Sequence, residues 1–376
     1  MRWMAAFLVF VYHSGTRHLF QNSNVGNSFA TLTSKAGWTG VSFFFVLSGF
    51  VLTWSARPGD TVPAFWRRRF VKIYPNHLVT WVAALGLILW SGPLLAGPVL
   101  WPAAFANLLL VHAWFPDPDY FTCVNGVTWS LSCEVLFYLM FPLWLFLICR
   151  VAPNRLWCWA AALIVFIFCA PLFARLLPEQ PRLPWKDLPT DWYWFVYIFP
   201  PVRMMEFVLG MVIARAVEEE RRWVSLSLGQ AALLGCVGYI AALYAPFLFG
   251  ITAMTVVPIA LVIAAGAQVD IRGYQSFLRH RSMIWLGEIS FAFYLIHRLV
   301  LVFGHQALGA RRQWPTGPAI GLILLALAIS VALSALLYKT VEIPMVRRFS
   351  GPRRLHDDSR LATSTATEVT PLASPS

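Results

Sequence analysis

The sequence predicts an all-α protein: a polytopic bundle of about ten membrane-spanning helices with one further interfacial or re-entrant segment. Three observations carry this. The 376 residues are 59% hydrophobic and only 12% charged, against roughly 25% charged in an ordinary soluble domain. The apolar residues gather into runs of the roughly 20 needed to cross a bilayer. Lys and Arg are distributed unequally about those runs, twenty of 29 on the side of the N-terminus and seven on the other, the asymmetry expected of a multi-pass protein.

The runs are 3–20, 37–55, 77–96, 128–149, 156–174, 193–216, 226–243, 247–266, 284–304 and 318–338. The first begins just after Arg2 and is apolar except for His13. No small-residue cleavage site follows it, so it reads as a span rather than a signal peptide. The second is uncharged and rich in Phe and Gly. The third follows a basic segment holding Arg67, Arg68, Arg69 and Lys72. The run 98–114 is broken by Pro98, Pro102, Asn107 and His112. It reads as interfacial or re-entrant, since counting it as a span would invert every later loop and spoil the charge asymmetry. The run 128–149 carries Glu134, 193–216 carries Arg203 and Glu206, and 284–304 carries Glu288, His297 and Arg298. The other later runs are uncharged. Residues 1–345 thus form one membrane domain, and 346–376, rich in Ser, Thr and Pro, are expected to be a disordered tail.

The charge asymmetry predicts a plasma-membrane protein with both termini cytoplasmic. The net charge of +12 therefore reports topology, and no nucleic-acid partner is expected. Six Cys lie mostly in apolar runs with no C-x-x-C spacing. They read as thiols, and no His, Cys, Asp or Glu spacing suggests a metal.

An ionisable side chain inside a span costs about 2.5–3.5 kcal/mol or more unless shielded, so the few present ask for a chemical reason. Arg2 and His13 are eleven residues apart, three helical turns, and share a face. They suit either an anchor or a site. Ser130 and Glu134 are i and i+4, and Tyr138 continues their face. Arg203 and Glu206, at i and i+3, suit a structural ion pair better than a catalytic one, with substrate binding as the other option. His297 reads as a buried hydrogen-bonded histidine or as a substrate contact. His112 and His305 read as interfacial. The basic segment 67–72 serves topology or docks an anion.

Several motifs stand in order along the chain: Arg2 to His13 as R-x10-H, Gly40 to Phe50 ending in Ser-Gly-Phe, the basic segment Arg67 to Pro75, Trp129-Ser-Leu-Ser-Cys-Glu134, Ile289 to His297, and Val341-Glu342-Ile-Pro344. This series resembles the acyltransferase 3 family of integral membrane O-acyltransferases. The resemblance implies transfer of an acyl group, usually from acyl-CoA, to a hydroxyl of a sugar, surface polysaccharide, lipid or macrolide. It implies no bound cofactor, with acyl-CoA as donor substrate. His13 is then the general base, with Glu134 orienting it or binding the acceptor, and Arg2 stabilising developing charge or holding a CoA phosphate. Arg69 and Lys72 become phosphate contacts, although Lys72 stands where relatives commonly carry Arg. Ser130, Arg203 and His297 become further substrate contacts. No second catalytic step is expected, because no hydrolase-like domain accompanies the motifs. Antibiotic tailoring is the favoured setting, with a cell-surface polysaccharide or glycolipid as the alternative. A reading from another class, a transporter or flippase using the same polar residues as a relay, is weakened because no repeat relates the two halves.

Overall fold

The structure, a computed structural model, describes residues 1–57, 59–92, 99–220, 226–309 and 312–349. Nearly all of the expected tail, 350–376, lies outside the described residues, as do Arg221, Arg222 and Arg311. Helices of eight residues or more are α1 (Arg2–Gly15), α2 (Ser23–Thr33), α3 (Ala36–Trp54), α4 (Val62–Ser91), α5 (Trp101–Leu108), α6 (Trp129–Cys149), α7 (Leu156–Phe173), α8 (Pro200–Glu220), α9 (Leu228–Tyr244), α10 (Ala253–Ile271), α11 (Arg281–Ala307) and α12 (Thr316–Leu337). The protein is a helical membrane bundle, as expected.

Among the described residues, eight helical segments are long and apolar enough to cross a bilayer. They coincide with eight of the ten expected runs. The other two, 3–20 and 226–243, are the helices α1 and α9, of 14 and 17 residues. At 1.5 Å per residue they reach about 21 and 26 Å, short of the ~30 Å hydrocarbon layer. The interrupted run 98–114 yields α5, of eight residues, far too short to span. Several of its polar groups find partners within the protein. Asn107 Nδ2 donates to the Cys123 carbonyl (3.0 Å) and to Thr128 Oγ1 (2.9 Å), and His77 Nε2 lies 3.1 Å from the Asn107 carbonyl. Such internal partners are the condition for non-spanning backbone at depth. His112 joins this cluster, buried with Nε2 3.4 Å from Thr128 Oγ1, rather than lying at an interface.

One boundary differs from expectation. The basic segment is not a loop: α4 begins at Val62, with a proline in its first turn, where the missing N–H costs nothing. Arg67 to Lys72 are therefore helical and spaced around one cylinder. A short helix, Ile343–Phe349, runs across position 345.

The centre of the bundle is the crossing of α3 and α8. A Cβ on Gly49 would stand 1.9 Å from the Phe207 carbonyl oxygen, and one on Gly210 would stand 1.9 Å from the Val46 carbonyl oxygen. Each helix thus presses its backbone into a notch in the other, the close packing that small residues permit in membranes. Helix α1 lies against α3 by the same device, with Gly40 facing the Ala5 carbonyl. Its other side meets α11, where Phe293 packs 4.8 Å from Trp3 and 5.9 Å from Phe10, centroid to centroid. Held on both sides, α1 turns His13 inward. Helix α12 remains peripheral, with Leu324, Leu325 and Leu336 more than half exposed and so available to lipid.

Gly49→Ala and Gly210→Ala are each expected to lower the thermal midpoint in detergent by several degrees or prevent accumulation, because a backbone carbonyl cannot step aside. Gly86→Ala, which meets nothing within 4 Å, should leave the midpoint unchanged or slightly raised. Equal midpoints for all three would contradict the notched crossing.

Candidate active site

Three cavities among the described residues hold six of the eight expected site residues, and Arg203 and His297 line none of the three. The largest, about 870 Å³, lies at the end of α1 remote from Arg2. His13 lines it, half-buried. Its ring stands 5.3 Å from that of His297 and 5.0 Å from that of Tyr12. Neither ring nitrogen of His13 has a hydrogen-bond partner among the described residues. A ligand in the cavity could therefore meet either one. His297 is fully buried, with Nδ1 3.0 Å from the Phe293 carbonyl. A carbonyl only accepts, so Nδ1 carries the proton and Nε2 keeps a lone pair. That Nε2 has no partner.

The second cavity is narrow, about 120 Å³, and lies at the Arg2 end. Arg2, Arg69, Ser130 and Glu134 line it, with Lys72 at its margin. Glu134 accepts a hydrogen bond from the Tyr138 hydroxyl at 3.1 Å. Its carboxylate therefore belongs to the Arg2 level, and an orienting contact from Glu134 to His13 is not present. The reason is depth: eleven residues of α1 separate Arg2 from His13 by about 16 Å, and Glu134 stays with the former. Tyr294 and Val41 line both cavities and so form the wall between them. The Tyr294 hydroxyl is fixed by Ser130 Oγ at 2.9 Å and the Val127 carbonyl at 3.0 Å. Ser130 thus holds the wall from the Arg2 side.

The third cavity, about 800 Å³, adjoins the second through the shared residues Arg69 and Lys72. Arg57, Arg68 and Arg347 also line it. Arg68 is paired with Asp60. Lys72, expected to contact phosphate, instead pairs with the buried Glu342, which also accepts from Asn76 Nδ2 at 2.6 Å. This corrects the reading of Lys72, whose charge is largely answered within the protein. Arg69 keeps its guanidinium near both cavities, 5.5 Å from the Phe65 ring centroid.

Arg203 is corrected as well. It is 2% exposed and lines none of these cavities. Its Nη2 lies 2.9 Å from Glu206 Oε2 and donates to Ser42 Oγ at 3.1 Å, and Ser42 donates to Glu206 Oε1 at 3.1 Å. The Phe45 and Tyr197 rings cover the guanidinium. This network ties α8 to α3, apart from all three cavities. The expectation of free thiols holds for all six cysteines. Sequence reasoning missed Arg17, Lys35, Lys186 and Arg298 as cavity residues. The first three were counted only as topology signals. The signal available was Arg298, a second cation beside His297 within one span.

A membrane helix bundle with an inward-facing histidine above a basic mouth defines a class, and sequence comparison states it. The chain belongs to the Acyl_transf_3 family, whose model, described as an acyltransferase domain, matches residues 1–339. It is a multi-pass membrane protein of the acyltransferase class. It is 40% identical to the acyltransferase MdmB of Streptomyces mycarofaciens over 98% of this chain and 96% of that protein. It is 28% identical to the exopolysaccharide production protein ExoZ of Rhizobium meliloti, over 83% and 90% respectively. It is 25% identical to the putative peptidoglycan O-acetyltransferase YrhL of Bacillus subtilis, where it covers 51% of the relative's length. No solved structure matches the chain.

Arg203→Ala is expected to cost about 3–5 kcal/mol, because it strands the Glu206 carboxylate in the core. The pair Arg203→Met with Glu206→Gln should recover most of that loss. Thermal unfolding in detergent measures both, and a double variant no better than the single one would speak against a purely structural pair.

Proposed function

We propose that this protein is an acyl-CoA-dependent O-acyltransferase of the plasma membrane, with both termini in the cytoplasm. It moves a short acyl group to a hydroxyl of a sugar or macrolide, and His13 is the general base. The single observation that carries this is the placement of His13, with both ring nitrogens unclaimed, in the 870 Å³ cavity of a chain from an acyltransferase family. The match to MdmB over nearly the full length of both chains supports antibiotic tailoring, the setting that the family resemblance favours. A surface polysaccharide is the alternative acceptor, for which the match to ExoZ speaks.

In this reading acyl-CoA approaches from the Arg2 end. Its phosphates meet Arg57, Arg69 and Arg347, and Lys72 contributes less because Glu342 holds it. The pantetheine arm threads the narrow cavity beside Glu134, which can accept from its amide N–H groups, and Arg2. The thioester stops at Tyr294. The acceptor hydroxyl lies in the large cavity against His13. As its oxygen bonds to the acyl carbon, His13 takes the hydroxyl proton. The C–S bond then breaks, and the imidazolium returns the proton to the departing thiolate, giving the ester and free CoA. A base of this kind contributes about 10²–10⁴ in rate. His297 touches no substrate. It is a positioning residue, holding the His13 ring from behind.

In detergent, with radiolabelled acetyl-CoA and candidate acceptors, His13→Ala should lower turnover by about 10²–10⁴-fold while the protein remains folded. Wild-type turnover in that folded variant would end the general-base assignment. Arg69→Gln should raise the KM for acyl-CoA about tenfold with kcat little changed. An unaltered KM would mean that the basic face of α4 serves topology alone.

A further inference from the structure

The large cavity carries a charge that neither the base nor the donor site explains. Four cations line it: Arg17 and Arg298 near His13, and Lys35 and Lys186 near its rim. No Asp or Glu is among its lining residues, and none of the four has an acidic partner within ion-pair distance among the described residues. Buried charges in proteins are ordinarily paired. Here Lys35 is buried, Arg17 and Arg298 are half-buried and Lys186 is exposed, so three of the four like charges are at least partly withdrawn from the solvent that would screen them.

The cations are also held in place. Lys35 is 5% exposed, with its ammonium 5.0 Å from the Trp38 ring centroid and 4.5 Å from that of Phe247. The Lys186 ammonium also lies over Phe247, 4.2 Å from its centroid. The Arg298 guanidinium lies over Gly126, where a Cβ would come within 3.1 Å of Cζ. A glycine at this position therefore leaves room for the guanidinium. The aromatic floor beside these charges, with Trp38, Trp129 and Tyr197, is suited to the apolar faces of sugar rings.

We propose that the large cavity contains an oxyanion subsite, formed by Arg17 and Arg298 with Lys35 and Lys186 at the rim, that binds a phosphate or carboxylate group of a saccharide-bearing acceptor. The proposal rests on the acyl-acceptor reading of this cavity and, because a macrolide ring carries neither group, turns it toward the alternative acceptor, an anionic polysaccharide or glycolipid. The anionic group anchors the acceptor and its neighbouring hydroxyl is presented to His13. A protonated amino sugar is repelled from the same place. Charge-assisted contacts of this kind give both orientation and selectivity.

The test is direct binding to the purified full-length protein in detergent, which needs no turnover. The probes are glucose 1-phosphate, glucuronate, methyl glucoside, glucosamine, inorganic phosphate and CoA. Glucose 1-phosphate and glucuronate should bind at least tenfold more tightly than methyl glucoside, and glucosamine should bind most weakly. Arg298→Gln and Arg17→Gln should each weaken both anionic sugars about tenfold or more, and Arg298→Lys should weaken them less. Arg69→Gln should leave them unchanged and weaken CoA instead. Glucosamine binding as well as glucuronate would overturn the subsite, as would anionic sugars insensitive to both arginine variants. Inorganic phosphate binding as tightly as glucose 1-phosphate would overturn the saccharide part. CoA lost in Arg298→Gln would place the donor in this cavity, and the subsite would fall together with the approach route given above. Sugar binding as expected with no acyl transfer to any acceptor would leave the subsite standing and remove only the enzymatic reading.

Discussion

Everything in the bundle is referred to the crossing of α3 and α8. Gly49 and Gly210 each receive the other helix's carbonyl, so the two backbones touch and cannot slide. Beside the notch, Arg203, Glu206 and Ser42 close a hydrogen-bonded loop between the same two helices. A buried ion pair is weak evidence of net stability, but its geometry is demanding and fixes the register of whatever carries it. With α3 fixed, α1 is fixed through Gly40, and with α1 the orientation of His13 follows. The position of the imidazole is thus decided by contacts that contain no chemistry at all.

The charges divide along the membrane axis. At the Arg2 end the cations have acids among them: Asp60 for Arg68, Glu342 for Lys72, and Glu134 in the narrow cavity. The four cations lining the His13 cavity have none among the described residues. Tyr294 stands between, held by Ser130. A donor and an acceptor arriving from opposite faces would meet at this wall, and neither would need to cross the bilayer whole. Under the proposed reaction the small acyl group alone makes the passage. This is an economy that a two-sided site offers over a single cleft.

The family motifs and the spans were legible because an apolar run of this length has little use outside a bilayer, and because Arg2 and His13 declare their shared face by spacing alone. The start of α4 was not. Hydropathy weighs Arg67 to Lys72 against a helix, whereas the backbone responds to the proline at its first turn and to contacts that answer the charges. Glu342, which answers Lys72, is 270 residues away, and no local pattern reveals it. Arg203 and Glu206 were legible as a pair, but their seclusion from every cavity was not, because it is set by the α3 crossing. The cationic lining of the large cavity was hidden for a similar reason. Arg17, Lys35, Lys186 and Arg298 come from four separate stretches, and only folding brings them to one space.

The bond between Glu342 and the Lys72–Asn76 turn joins a late part of the chain to an early one. Until that late segment is synthesised and inserted, the turn of α4 around Lys72 exposes an unanswered ammonium and an idle amide. Biogenesis therefore has a built-in order. The nascent protein cannot finish its basic mouth before the segment that carries Glu342 has been made, so a partly made bundle lacks the contact that answers Lys72.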